Sequence, residues 1–203
     1  MIQSKKDYLY YLAADKIALG ISRRRPPLIC IYESDVIWKF QRLLRKAEYL
    51  HNCCNRGIVK FYYKWVQYKL FRAQLKTGFS IPMNVFGPGL SISHMGPITI
   101  NGFARVGKNC RLHPNTCIGI DGRNSGVAKI GDNCYISTGA KIIGDITICD
   151  DVCIGANAVV VKDIHASGTT WGGAPAKQIA TQGSPFPLNR RGADILLKMK
   201  ERE

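Results

Sequence analysis

The feature of this sequence that most restricts its fold is a six-residue repeat of branched aliphatic residues. Every sixth position from Ile100 to Val160 is Val, Leu or Ile, with Asn124 as the exception. An α-helix places apolar residues three and four apart, and an alternating strand places them two apart. A period of six instead fits a short strand followed by a tight corner, stacked in parallel so that one aliphatic column is buried. With three strands per coil, the repeat predicts a triangular prism.

The position two residues before each aliphatic one is mostly small, and it includes Cys110 and Cys134. Small side chains fit a cramped inward corner, so we expect both cysteines in the core, with Gly or Asn taking the turns. The first twenty residues lack the uncharged apolar stretch of a secretory signal, which predicts a cytoplasmic location and no disulfide framework. No metal site is expected either, because Cys149 and Cys153 have no second pair to complete a zinc site.

The N-terminal part is predicted to be helical and strongly basic. The net charge is +15, and residues 1–76 hold 16 Lys and Arg against 5 Asp and Glu. Residues from Ile58 to Leu75 alternate aromatic side chains with Lys and Arg, a pattern that fits helix packing, an anionic membrane surface or nucleic acid. No motif that reads nucleic acid is present, so we retain peripheral contact with an anionic membrane. No apolar run is long enough for a transmembrane helix.

A polar, glycine-rich loop interrupts the repeat between Ile120 and Val127, and Asn124 falls within it. Loops that leave a rigid scaffold are where binding and catalytic residues concentrate. The pattern therefore predicts that this loop takes part in function. The domain organisation predicted along the chain is a helical region over 1–79, a repeat domain over 80–180 and a tail over 181–203.

Three stretches resemble the hexapeptide-repeat acyltransferases: Gly89–Gly96, the loop leading into Ala128–Gly131, and Gly172–Lys177. The nearest branches are serine O-acetyltransferases and O-acetyltransferases of capsular or exopolysaccharide biosynthesis. The resemblance implies a mainly β fold, a left-handed parallel β-helix with an N-terminal α-helical region and a short C-terminal tail helix. It also implies transfer of acetyl from acetyl-CoA to a hydroxyl, without a metal, by a homotrimer or a dimer of trimers.

The resemblance aligns His94 with the family's catalytic histidine, whose neutral imidazole takes the proton of the attacking hydroxyl. We place the acceptor beside His113, Asp121 and Arg123. The residues expected to bind acetyl-CoA are Gly119, Thr138, Ala156, Lys162, Gly173, Pro175 and Lys177.

Four departures from the serine-specific enzymes bear on the acceptor. Ser93 and Phe79 stand where those enzymes have aspartates, Val127 where they have a second histidine, and Gly126 where they have an arginine. Zwitterionic serine needs charged partners for its ammonium and its carboxylate, whereas a sugar hydroxyl needs fewer. The sequence therefore favours a sugar or polysaccharide precursor as the acceptor, with serine as the alternative. A non-catalytic binding scaffold is the alternative from another class.

Overall fold

The computed structural model describes residues 1–23, 25–54, 56–123, 125–184 and 189–200. Its helices are α1 (Lys5–Leu19), α2 (Glu33–Cys53), α3 (Val59–Thr77) and, near the C-terminus, α4 (Gly192–Lys200). Ser4 caps α1, and its hydroxyl accepts a hydrogen bond from the Asp7 amide at 3.0 Å. Gly20 ends the same helix in the left-handed conformation, with φ at 69°. Within the described residues, none of the helices combines the length and the hydrophobicity that crossing a bilayer requires.

Between α3 and α4 the chain forms short strands. They are β1 (Phe79–Ser80), β2 (Ser91–Ile92), β3 (Ile98–Ile100), β4 (Arg105–Val106), β5 (Arg111–Leu112), β6 (Cys117–Gly119), β7 (Lys129–Ile130), β8 (Tyr135–Ile136), β9 (Lys141–Ile143), β10 (Thr147–Ile148), β11 (Cys153–Ile154), β12 (Val159–Val160), β13 (Thr170–Gly172) and β14 (Lys177–Ala180).

The strands stack in parallel on three faces of a prism in the described part of the chain. Face A contains β1, β3, β6, β9 and β12; face B contains β4, β7 and β10; face C contains β2, β5, β8, β11 and β13. Each turn of the chain visits the faces in the order A, B, C and then returns to A one coil higher. Strand β14 departs from this rule, because it pairs antiparallel with β13 and ends the stack.

The predicted aliphatic column lies inside the prism. Ile118 pairs with Ile100 below it and with Ile142 above it on face A. All three side chains are 3% exposed or less, and Cys110 and Cys134 are 1% exposed. The six-residue repeat is thus confirmed as the inward-facing core, while Asn124, its one interruption, lies outside the described residues.

Asparagines make the tight corners between faces B and C. Asn109 and Asn133 occupy the same corner of successive coils, with φ at 58° and 59°. Asn tolerates this left-handed conformation better than other non-glycine residues. The Asn109 side-chain amide also donates to the Asn133 side-chain oxygen at 2.8 Å, so the corners of adjacent coils are tied together.

The N-terminal helices are fixed to the first coil by a buried ionic network. Arg45 of α2 is fully buried, and its guanidinium lies 2.8 Å from the Asp15 carboxylate of α1 and 3.1 Å from that of Glu48. The same guanidinium donates to the carbonyl oxygens of Phe86 and Gly87, at 2.8 and 2.7 Å. One side chain therefore joins two helices to the β-helix.

Candidate active site

Most of the predicted site residues fall on two edges of the prism. At the C–A edge the chain turns from face C to face A in residues 93–97, 113–116, 137–140 and 155–158. Residues 173–176, which join β13 to β14, continue the same edge by hydrogen bonding to Val159 of face A. At the A–B edge it turns from face A to face B, in residues 101–104, 120–128, 144–146 and 161–163.

His94 lies at the beginning of the C–A edge, just after β2. Its side chain is 64% exposed, and its Nδ1 is 3.1 Å from Oε2 of Glu33. Glu33 is the first residue of α2, and its other oxygen, Oε1, accepts a hydrogen bond from the Met95 amide. The two carboxylate oxygens therefore bind the imidazole and the backbone beside it at the same time.

The Glu33 carboxylate also determines which nitrogen of His94 holds the proton. The Met95 amide and, to a smaller extent, the His94 ring lower the pKa of Glu33, which keeps it ionised at neutral pH. An ionised carboxylate only accepts hydrogen bonds, so Nδ1 of His94 must be the donor. In the neutral imidazole, Nε2 is then free to accept a proton.

His113 lies at the same edge one coil further along, after β5. Its Nε2 is 3.1 Å from the Ser93 hydroxyl, and its ring centroid is 6.4 Å from that of His94 and 5.0 Å from that of Tyr135. Burial, then the charge of Arg111 and then that of His94, lowers the pKa of His113 to about 4. The site therefore places a neutral, half-buried imidazole beside an exposed one.

The low pKa of His113 predicts a specific pH dependence. We expect its ring protons to titrate near pH 4 in the folded protein, since desolvation and the Arg111 cation disfavour the charged form. In the unfolded chain the same ring takes up a proton near its ordinary pKa of about 6.5. His113 should therefore reduce the free energy of unfolding as the pH falls from about 6.5 to about 4. NMR titration checks this, with His113→Gln to assign the resonance, and a midpoint near 6.5 would contradict it.

Further along the C–A edge lie three of the residues expected to bind acetyl-CoA. Thr138 and Ala156 are exposed, and so is Gly173, which adopts φ of 91°. The Thr138 hydroxyl donates to the Pro114 carbonyl at 3.0 Å, and the Thr138 carbonyl accepts from the Asn157 amide at 2.9 Å. These residues follow one another coil by coil, so the edge forms a continuous exposed line that leads away from His113.

The end of this line is formed by the last turn of the stack. Pro175 is exposed in the turn between β13 and β14, and Lys177 is exposed on β14. Two hydrogen bonds hold the turn against face A: the Val159 amide donates to the Gly173 carbonyl at 2.9 Å, and the Ala176 amide donates to the Val159 carbonyl at 2.8 Å.

The other predicted residues lie at the A–B edge. Asp121 and Arg123 are exposed on the loop that follows β6, and the Arg123 amide donates to the Asp121 carboxylate at 2.9 Å. Gly119 ends β6 at this edge, and Lys162 follows β12. Strand β6 spans about 10 Å between the two edges. Within one chain, the structure therefore does not bring this group together with His94 and His113.

Two of the departures that bear on the acceptor prove to be core residues. Phe79 is 2% exposed and packs edge-on against Phe40 with ring centroids 5.0 Å apart; Val127 is 5% exposed. Neither position offers a polar group or a route to solvent. Gly126 is packed so closely that a Cβ there would lie 2.3 Å from Cβ of Asp145. The position therefore has no room for a longer side chain.

Glu33 is the site residue that the sequence did not indicate. It is 61 residues from His94 along the chain and begins a helix in a different region. An acidic residue at the start of a helix is ordinary, because it complements the helix dipole. Only the packing of α2 against the first coil reveals its second role. Among the described residues, His, Cys, Asp and Glu do not come together in groups of three or more that could hold a metal ion.

A family model described as bacterial transferase hexapeptide (six repeats) matches residues 128–162. A serine acetyltransferase of Helicobacter pylori (strain J99 / ATCC 700824) is 36% identical over 110 residues, which cover 53% of this chain and 64% of that protein. A serine acetyltransferase of Staphylococcus xylosus is 35% identical over 131 residues, 61% of each. The chain thus matches less than two thirds of the length of either relative.

Solved structures give the same likeness over more of the chain. The crystal structure of serine acetyltransferase from Brucella abortus strain S19 has a TM-score of 0.70 and 22% identity, covering 89% of this chain and 72% of that one. A complex of the Brucella abortus enzyme with coenzyme A has a TM-score of 0.66 and 23% identity, covering 89% and 69%. These similarities confirm the predicted fold class, a left-handed parallel β-helix with N-terminal helices and a short C-terminal helix. With the repeat match, they also confirm the family resemblance that the sequence motifs carry.

Proposed function

Because the chain is a hexapeptide-repeat protein similar to serine acetyltransferases, we propose that it transfers the acetyl group of acetyl-CoA to a hydroxyl. The observation that carries the proposal is the pairing of His94 with Glu33 at the C–A edge. It presents Nε2 of an exposed imidazole as a proton acceptor, which is what a hydroxyl needs in order to attack a thioester. The proposal includes the cytoplasmic location predicted from the sequence.

In the proposed reaction, Nε2 of His94 removes the proton of the acceptor hydroxyl as its oxygen attacks the thioester carbonyl. Glu33 stabilises the imidazolium that results and holds the ring in place. The tetrahedral intermediate then collapses, the carbon–sulfur bond breaks, and His94 returns its proton to the departing coenzyme A thiolate. His113 stays neutral and is a positioning residue for the acceptor.

Acetyl-CoA is proposed to lie along the C–A edge. Thr138, Ala156 and Gly173 follow His113 on successive coils, so the pantetheine arm would run past their backbone groups. Pro175 and Lys177 stand at the far end of this line, where Lys177 would meet phosphate oxygens. A solved relative with the same fold was determined in complex with coenzyme A.

The residues at the A–B edge enter the proposal through a second copy of the chain. Gly119, Asp121, Arg123 and Lys162 would complete the site if the A–B edge of one subunit met the C–A edge of its neighbour. A homotrimer with sites between subunits meets this requirement, since each subunit then gives its C–A edge to one site and its A–B edge to the next. In a dimer of trimers, each trimer would contain this same contact between the A–B edge of one subunit and the C–A edge of the next.

The relatives favour serine, the alternative acceptor, over the sugar hydroxyl that the sequence motifs favour. Both curated relatives described above are named serine acetyltransferase. We therefore take serine as the first acceptor, with Arg123 for its carboxylate and Asp121 for its ammonium. A sugar hydroxyl remains the second candidate because Phe79 and Val127 are buried and provide no charged partner.

Thiol release from acetyl-CoA by the purified protein tests this function. We expect turnover with serine, and less than about a tenth of that rate with sugars and sugar nucleotides, because a site built for a zwitterion leaves its charges unpaired otherwise. Turnover with a sugar alone would assign the second acceptor. Tight binding of coenzyme A without turnover of serine or of any sugar would contradict both proposed acceptors. Failure to bind coenzyme A would contradict the proposed acetyltransferase activity.

A further inference from the structure

The outward face of α3 is aromatic where a solvent-facing helix is usually polar. Phe61, Trp65, Tyr68 and Leu75 follow one another at intervals of four, three and seven residues, and Arg72 fills the remaining step of the same stripe. Phe61, Trp65, Tyr68 and Leu75 are 78%, 50%, 56% and 65% exposed. We call this stripe, with the flanking Lys64, Lys69 and Lys76, the basic aromatic face.

The exposed apolar surface continues beyond α3. A groove of about 1510 Å³ runs between α2 and α3, and Leu28 and Ile29 line it from the segment that precedes α2. Leu28 is 94% exposed and Ile29 is 77% exposed. Exposed apolar residues rimmed by polar or charged ones are typical of a surface where something else binds.

The charge of this surface has one sign. The sequence has no Asp or Glu from Tyr49 to Ile120, and α3 has five Lys and Arg. Cations also lie over the exposed rings: Lys69 Nζ is 3.6 Å from the centroid of Trp65, and Arg72 Cζ is 6.0 Å from that of Tyr68. The basic groups therefore lie beside the exposed aromatic rings, and α3 itself has no acidic residue.

These features distinguish between the possible partners. A second copy placed face to face would oppose lysine with lysine, which disfavours a symmetric contact. Nucleic acid would pair with the lysines and stack on the rings, but it leaves aliphatic residues such as Leu28, Ile29 and Leu75 without a role. An anionic bilayer uses all three classes, since lipid phosphates meet the lysines, rings lie among the headgroups and aliphatic side chains reach the acyl boundary.

We propose that the basic aromatic face docks the protein on the surface of an anionic membrane. The helices lie flat against the headgroups in this arrangement, and the attachment is peripheral and reversible. The β-helix projects from the same helices into the aqueous phase.

Vesicle sedimentation with the full chain tests the proposal. We expect the protein to pellet with vesicles of phosphatidylcholine containing about 30% phosphatidylglycerol and to remain in the supernatant with phosphatidylcholine alone. Raising the salt from about 0.1 M to about 0.5 M should weaken the binding, because the phosphate–lysine attraction is screened. A blue shift of tryptophan emission on the anionic vesicles should disappear in Trp65→Phe, since Trp38 is buried in the core at 1% exposure and Trp171 lies on β13 of the β-helix, outside the face.

Variants separate the face from general positive charge. Lys69→Glu with Lys76→Glu should reduce the vesicle partition coefficient at least about 25-fold, from about fivefold per lysine removed. Lys129→Glu with Lys198→Glu is the matched control, because both lysines are exposed elsewhere and the net charge changes equally. Equal losses for the two pairs would overturn the proposal.

Two further results would also overturn it. Binding to a DNA duplex that is stronger than binding to the vesicles, and lost in the Lys69 and Lys76 pair, would assign the face to nucleic acid. A drop in the mass measured by light scattering for Phe61→Ser with Trp65→Ser would assign it to contacts between copies.

Discussion

Replacing His94 with alanine is expected to lower kcat for acetyl transfer about 100- to 10,000-fold, the contribution typical of a general base. The side chain is exposed and makes its described polar contact with Glu33, so its loss should leave the fold intact. Initial rates of thiol release at saturating acetyl-CoA and acceptor measure the effect. The dissociation constant of coenzyme A, measured by calorimetry, should stay within about twofold, because the imidazole acts mainly in the transition state.

Glu33→Gln should lower kcat nearly as far, by about 100-fold or more, although it preserves the shape of the side chain. The single oxygen of glutamine can accept from the Met95 amide, as Oε1 of Glu33 does. Its NH₂ group then faces Nδ1 of His94 and donates to it. That contact places the ring proton on Nε2, the atom that must accept one.

Asp35→Asn is the matched control for Glu33→Gln. Asp35 lies in the same first turn of α2, but its carboxylate pairs with Arg23 at 3.3 Å. The control removes the same charge from the helix start without touching His94, so kcat should change less than about threefold. The ¹⁵N chemical shifts of the His94 ring should report the Nδ1–H form in the wild type and the Nε2–H form in Glu33→Gln. An active wild type whose kcat survives Glu33→Gln would contradict the positioning role without touching the proposed activity.

Arg45→Met is expected to lower the free energy of unfolding by about 3–5 kcal/mol. Burial acts to lower the pKa of Arg45, but the charges of Asp15 and Glu48 outweigh it and the pKa stays above its usual range. Methionine fills much of the space and leaves two buried carboxylates without their cation. The Phe86 and Gly87 carbonyls lose a donor as well.

Urea unfolding followed by circular dichroism measures this loss. Lys39→Met, on the exposed side of the same helix, should change the free energy of unfolding by less than about 0.5 kcal/mol. Replacing all three charged residues of the network, as Arg45→Met with Asp15→Asn and Glu48→Gln, should recover part of the lost stability, since no uncompensated charge is then buried. Equal stability for wild type and Arg45→Met would show that the network does not hold the helices to the prism.

The β-helix was predictable because its physical cause is local and repeated. Each corner and each inward aliphatic residue obeys the same steric rule, so a period of six is enough to identify Ile118 and Cys134 as core residues. The alignment of His94 depends on a short motif next to that repeat. The placement of Thr138, Ala156 and Gly173 on one edge then follows from the coil length.

Contacts between distant segments were not predictable in this way. Glu33 reaches His94 because α2 packs on the first coil, through apolar residues such as Phe40 and through the Arg45 network. The separation of His113 from Asp121 and Arg123 depends on which corner each residue turns, which a periodic pattern does not reveal. The burial of Phe79 against Phe40 likewise comes from helix docking and from nothing in the repeat.

Because Glu33 lies in the first turn of α2, the proposed proton transfer at His94 depends on a helix end, where the free energy of local opening is low. Helix ends and peripheral helices open by local fluctuations at a lower free energy than stacked core strands. Any such opening takes Glu33 away from His94 while the prism keeps its shape. The fraction of sites with Glu33 in place is therefore set by local opening of α2, which amide exchange measures, rather than by global unfolding. On heating, acetyl transfer should be lost at a lower temperature than the one at which the β-helix unfolds.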